Sequence, residues 1–210
     1  MRKTLQRCIA AAGVLLISGP LTAAEPAPQT ALDLRNTVTG EPLDLSLAKP
    51  EGRDTPAVQH FLSTGKNPYL EDKSCLARGE SLFLTACSGC HGQVGEGKIG
   101  PGLNDNYWTY PKNVTDQGIF ETVFGGARAQ MGPHYGDLSL DDMLLVTAWV
   151  RHLYTGPVED APWLNAQQKK EYKPYQLGEK FPPGAPGLCN TAPASSKSAA
   201  STGGVGAATK

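Results

Sequence analysis

Cys87-Ser88-Gly89-Cys90-His91 constrains this chain more than any other stretch. Two thiols three residues apart, with an imidazole directly after the second, match the attachment signature of a c-type haem. The cysteine sulfurs add to the haem vinyl groups and His91 becomes the proximal ligand of the iron, so cofactor and ligand are fixed within a single turn. Two other chemistries use paired thiols. A thioredoxin-like pair wants a strand before it and a helix after it, whereas these cysteines close a helical pattern and lead into Gly92, Gly95, Gly97, Gly100 and Gly102, which is loop composition. A zinc site wants a second ligand pair at similar spacing, and the sequence offers none.

The N-terminus agrees with haem attachment outside the cytoplasm. Arg2, Lys3 and Arg7 precede the apolar run 9–17, which is too short to span a bilayer, and Thr22-Ala23-Ala24 supplies small residues before Glu25. Residues 1–24 are therefore expected to be a signal peptide, and the mature chain to be exported to the periplasm without a membrane anchor. Losing Arg2, Lys3 and Arg7 reduces 19 basic residues to 16 against 20 acidic ones, a formal charge of −4. That balance argues against nucleic acid and anionic membrane as partners. Of the five cysteines, Cys8 leaves with the signal and Cys87 and Cys90 go to haem, so Cys75 and Cys189 remain as a pair in an oxidising compartment. A disulfide between them is expected, worth on the order of 4 kcal/mol in the chain-entropy model.

Residues 25–73 carry six prolines and no sustained period, and read as an N-terminal arm with one short helix near 57–63. The haem domain is expected over 74–156, a C-terminal extension with a short helix at 166–172 over 157–190, and a disordered Ala/Ser/Gly/Thr tail over 191–210. Within the haem domain three helices are predicted. The first, about 74–87, places Leu76, Gly79, Leu82, Phe83 and Ala86 on one face, where Gly79 calls for close crossing by another helix. A middle helix, 116–124, is capped by Thr115 and stopped by Gly125. A last helix, about 140–154, opens on a Ser139/Asp142 capping box and stops at Gly156-Pro157. No stretch alternates at period two over a useful length, so the expected fold is all-α, with a class I cytochrome c-like haem domain between long irregular extensions.

Function turns on the ligand opposite His91. Met143 falls inside the last helix as a core filler. Met131 lies in the irregular loop 125–133, where a long side chain reaches the far haem face, and a Met–His pair is the usual electron-transfer ligation. His134, three residues on, is the alternative distal ligand; His60 and His152 read as structural or surface histidines. A ligating imidazole usually donates its second N–H to a fixed acceptor, and the carbonyl of Pro101, in the rigid turn Gly100-Pro101-Gly102, is placed for this. In Tyr107-Trp108-Thr109-Tyr110-Pro111, the Trp108 N–H or a tyrosine hydroxyl is a candidate partner for a buried haem propionate.

Several of these stretches together resemble the cytochrome cL family. They are Cys87 to Gly92, Gly95 to Asp105, Tyr107 to Pro111, Phe124 to Ala127 with Gln130 to Pro133, and Ala148-Trp149-Val150-Arg151-His152-Leu153-Tyr154. The haem motif and a distal methionine are generic to class I cytochromes c; the Tyr-Trp-Thr-Tyr-Pro and Ala-Trp-Val-Arg-His-Leu-Tyr segments are far more specific. The resemblance implies a non-enzymatic electron carrier holding one covalent haem c through Cys87 and Cys90, with His91 and Met131 as iron ligands. It implies PQQ-dependent methanol dehydrogenase as electron donor, a smaller class I cytochrome c as acceptor, and a bound calcium whose ligands this sequence does not place. Two rival readings stand beside it: a haem enzyme or ligand sensor with an open or His-ligated distal site, and a cytochrome subunit of another quinoprotein dehydrogenase.

Overall fold

The computed structural model describes residues 32–181 and Cys189; the signal peptide expected over 1–24 and the tail over 191–210 lie outside the described residues. Six α-helices occur among them: α1 (Pro56–Thr64), α2 (Leu76–Ala86), α3 (Ser88–His91), α4 (Asp116–Gly125), α5 (Leu140–His152) and α6 (Ala166–Glu171). A single β-bridge, Arg35 with Pro42, is the only strand-like pairing described. The fold is all-α, as expected.

Four of the six helices, α1, α4, α5 and α6, start where a side chain satisfies an orphan backbone N–H, whereas α2 and α3 begin without a side-chain cap. Thr55 accepts from Val58 at the head of α1, with Pro56 in the first turn, and Gly65 ends it at φ 70°. Thr115 accepts from Gly118 to start α4. The Ser139/Asp142 box forms in full on α5, and Asn165 and Gln168 form another on α6. Helix α5 stops at His152, two residues short of the expected end: Leu153 N–H still donates to Trp149 O at 3.0 Å, but Tyr154 N–H tightens to the Arg151 carbonyl at 3.4 Å.

α2 and α5 cross at Gly79. A Cβ there would stand 2.5 Å from the Leu145 carbonyl oxygen and 3.0 Å from the Trp149 Cβ, so only glycine permits this approach. Around the crossing lie Phe83, Leu144, Leu145 and Trp149, all essentially inaccessible. Apart from Asp142 and His152, every residue of α5 is buried, which makes it a central helix needing cover on all sides rather than an amphipathic one.

The N-terminal arm supplies part of that cover. Leu34, Ala48, Val58, Phe61 and Tyr69 join the same core as the haem-domain helices, and Phe61 lies 4.6 Å from Phe120 of α4, ring to ring. Polar stitches hold it there. The Asn67 amide donates to Leu144 O at 2.7 Å, and Thr55 and Tyr69 hydroxyls donate to Asp141 at 2.7 and 2.6 Å. From the other end of the chain, Trp163 and Tyr175 pack onto Tyr154 and Trp149. The expected disulfide is present: Cys75 and Cys189 are bonded, with Cα atoms 5.2 Å apart, across 114 residues of sequence.

Candidate haem-binding site

Helix α2 ends because Cys87 turns to φ −120°, and α3 follows as one separate turn. The N–H groups of Cys90 and His91 both donate to the Cys87 carbonyl, at 3.1 and 3.0 Å, which puts two thiols and an imidazole on a single turn. Gly92 then reverses the chain at φ 85°, and the glycine-rich loop folds back: Gly97 N–H donates to His91 O at 2.7 Å and Gly100 N–H to Cys90 O at 2.9 Å. The loop thereby brings the Pro101 carbonyl to 2.8 Å from His91 Nδ1.

A carbonyl only accepts, so Nδ1 carries the proton and Nε2 keeps its lone pair for a metal. Gly100 lies flat against the ring; a Cβ there would stand 2.6 Å from His91 Cε1. The imidazole is buried, Cys87 is half-buried and Cys90 exposed, and both thiols are free. Burial pushes the Cys87 thiol up to about 11, with a smaller push from Cys90, so it is held protonated at neutral pH. Two free thiols on the same turn as an imidazole whose Nε2 keeps its lone pair form the donor set a covalent haem requires.

Met131 and His134 lie together on the loop between α4 and α5, as expected. The loop leaves Gly126 at φ 80°, closes through an Ala127 N–H bond to Met131 O at 3.0 Å, and carries Ala129 at φ 69°, the one non-glycine residue described in the left-handed region. Met131 is half-buried. His134 Nδ1 is buried without a hydrogen bond, 3.7 Å from Asp137. Met143 is fully buried inside α5, consistent with core filling. Trp108 is buried and its Nε1 has no partner in the protein, which leaves it open to a carboxylate acceptor. Its ring, however, packs with the C-terminal extension, edge-on to Trp163 at 6.2 Å.

Arg151 is the residue the sequence reading passed over. Its guanidinium sits over the rings of Trp163, at 4.0 Å, and Trp108, at 5.0 Å. It donates to Asn113 O and Thr115 O at 2.7 and 3.0 Å and faces Asp116 at 3.8 Å. Burial draws it down to about 10, offset in part by Asp116, so it stays charged; burial likewise raises Asp116. The available signal was a lone cation in an apolar helix of a chain with tryptophans to spare. Of the two readings of His152, the structural one fits. The imidazole bonds Glu179 at 3.0 Å among Trp149, Tyr175 and Phe181. One cluster with ligand-like spacing is described, Asp72 with Cys75 and Cys189, and its two sulfurs are spent on the disulfide.

Residues 75–150 match the family model for subunit III of cbb3-type cytochrome c oxidase. Cytochrome c-L of Methylorubrum extorquens is 64% identical over 162 residues, covering 77% of this chain and 82% of that protein. The chain belongs to the cytochrome cL family. Crystal structures of two cytochromes cL show the same fold: that of Methylophaga aminisulfidivorans is 54% identical with a TM-score of 0.67, covering 71% of this chain and 99% of the other. That of Hyphomicrobium denitrificans is 58% identical with a TM-score of 0.67, over 70% and 89%. Cytochrome cL membership implies covalent haem c and an electron-transfer rather than an enzymatic role. Among the described residues, no helix is long and apolar enough to cross a membrane.

Proposed function

We propose that this chain is a periplasmic monohaem electron carrier, which takes single electrons from a PQQ-dependent methanol dehydrogenase and passes them to a smaller class I cytochrome c. The observation that carries the reading is the His91 cradle, in which Pro101 engages Nδ1 and leaves Nε2 as the donor nitrogen, on the same turn as two free thiols. Cys87 and Cys90 would hold the haem, His91 would be its proximal ligand, and Met131 its distal ligand, with His134 the alternative on the same loop. When bound, the haem supplies one-electron chemistry between ferric and ferrous iron, at a potential that a thioether ligand raises.

The residues of the chain contribute orientation and exclusion. Pro101 keeps the imidazole in one tautomer and raises its basicity, and Gly100 lets the loop lie close enough to do so. The α2–α5 crossing holds the attachment turn rigidly to the core, so electron exchange demands little rearrangement of the protein. The methylotrophic source of one solved relative supports methanol oxidation as the setting, and the acidic excess expected after signal removal would steer encounter with a basic patch on the donor. Stopped-flow mixing of the oxidised holoprotein with reduced methanol dehydrogenase from the same organism tests this. Second-order haem reduction that slows with added salt is the expected result. No reduction by either a calcium- or a lanthanide-dependent dehydrogenase would overturn the assignment.

A further inference from the structure

The tip of the loop that carries Met131 is tied to the rest of the molecule by a tyrosine. The Tyr110 hydroxyl oxygen accepts the backbone N–H of Arg128 at 2.9 Å. Residues 128–130 are exposed and Ala129 sits in a left-handed conformation that an L side chain adopts at a cost, so this tip does not hold its shape through burial or local preference. Its neck is closed by the Ala127–Met131 backbone bond. Among the described residues, the Tyr110 bond is the one that joins the tip to another element.

Tyr110 is itself on a firm base. It precedes the 3₁₀ turn Pro111–Val114, whose Asn113 N–H donates back to Tyr110 O at 2.9 Å. Asn113 Oδ1 accepts from Thr122 of α4 at 2.8 Å, and its carbonyl accepts from Arg151 of α5 at 2.7 Å. A chain of contacts therefore runs from the central helix, through the clamped turn, to the phenol and on to Arg128, three residues before Met131.

We infer that Tyr110 is a positioning residue that holds the 126–133 loop in the conformation presenting Met131 to the iron. The inference rests on Met131 being the distal ligand. Removing the hydroxyl costs the tip its anchor while the ring and the turn remain, so the loop opens more often. A hydrogen bond of ordinary strength corresponds to about fivefold in such an opening equilibrium.

The experiment compares wild-type holoprotein, Tyr110→Phe and Tyr107→Phe, the last at an exposed tyrosine nearby. Imidazole is titrated into the ferric form, and loss of the near-infrared methionine–iron band is followed as it displaces the native ligand. Thermal unfolding is measured on the same samples. The expected result is about fivefold tighter apparent imidazole binding in Tyr110→Phe, with its unfolding midpoint lower by about 2–4 °C because the same bond is lost from the folded state, and Tyr107→Phe at the wild-type value in both. Unchanged imidazole affinity in Tyr110→Phe, or an equal gain in Tyr107→Phe, would overturn the positioning role. Absence of the band from wild type would instead remove Met131 as ligand, and the inference with it.

Discussion

Replacing Gly79 by Ala sets two opposed effects of known sign against each other. Helix propensity favours the change by about 1 kcal/mol, since glycine is the poorest helix former after proline. The crossing opposes it. A Cβ would stand 2.5 Å from a backbone carbonyl oxygen of α5, whereas even attractive C–H···O contacts need roughly 3.3–3.6 Å. The carbonyl belongs to the central helix and cannot swing aside, so α2 and α5 must part by about 1 Å. A gap of that size forfeits roughly a quarter to a half of the dispersion attraction across the contact. Overpacking of this kind costs about 1–3 kcal/mol, and a backbone obstacle places Gly79→Ala at the upper end. The net expectation is a loss of about 2 kcal/mol, or an unfolding midpoint roughly 4–8 °C lower for a domain of this size. Circular dichroism melts of the holoprotein, followed at a helical wavelength, measure it. An unchanged or higher midpoint would mean that the helices yield without penalty, and would refute the close-crossing argument.

Gly100→Ala forces the His91 ring away from the Pro101 carbonyl, weakening the imidazole as a donor and favouring ferrous iron. Loss of about 1 kcal/mol of hydrogen bonding corresponds to roughly +40 mV in a one-electron midpoint potential, and an unmoved potential in redox titration would contradict it. Met131→Ala abolishes the near-infrared methionine band and opens the iron to carbon monoxide; persistence of the band there, with its loss in His134→Ala, would transfer the role. Burial holds His152 below its ordinary 6.5, against the pull of Glu179 and Glu80 and with help from Lys73. The unfolded chain then binds that proton more tightly, so stability falls as pH drops from about 6.5 through the folded value. Melts between pH 7.5 and 5 should show a shallower slope for His152→Gln, and parallel slopes would exclude His152 as the cause.

The elements legible in the sequence were those with local causes. Thr115, Ser139 with Asp142, and Asn165 announce helix starts because the side chain that caps is adjacent to the backbone it satisfies. Gly79 betrayed a crossing because a glycine inside an apolar helix needs a reason. Pro101 was readable as the His91 partner since only a short rigid loop separates the two. The arm was harder: Leu34, Ala48 and Tyr69 are buried by long-range packing, which leaves no period in a proline-rich stretch. Arg151 stood out only as a lone cation in an apolar helix, and its role went unread because its surroundings, Trp108 and Trp163, come from segments on either side of it in sequence. Tyr110 reaching the Arg128 amide joins two irregular segments, and no pattern along one chain encodes such a meeting.

The acceptor that orients His91 is a main-chain oxygen, and every amino acid has one. No single codon change can delete it, so the vulnerability to mutation is displaced onto its neighbour. Gly100, which has no functional group at all, becomes the position where drift would be felt first, and almost any side chain introduced there would meet the ring before it met solvent. A variant survey of this protein should therefore find the residue beside the acceptor more intolerant than the acceptor itself, with harm graded by the bulk of the replacement rather than by its polarity.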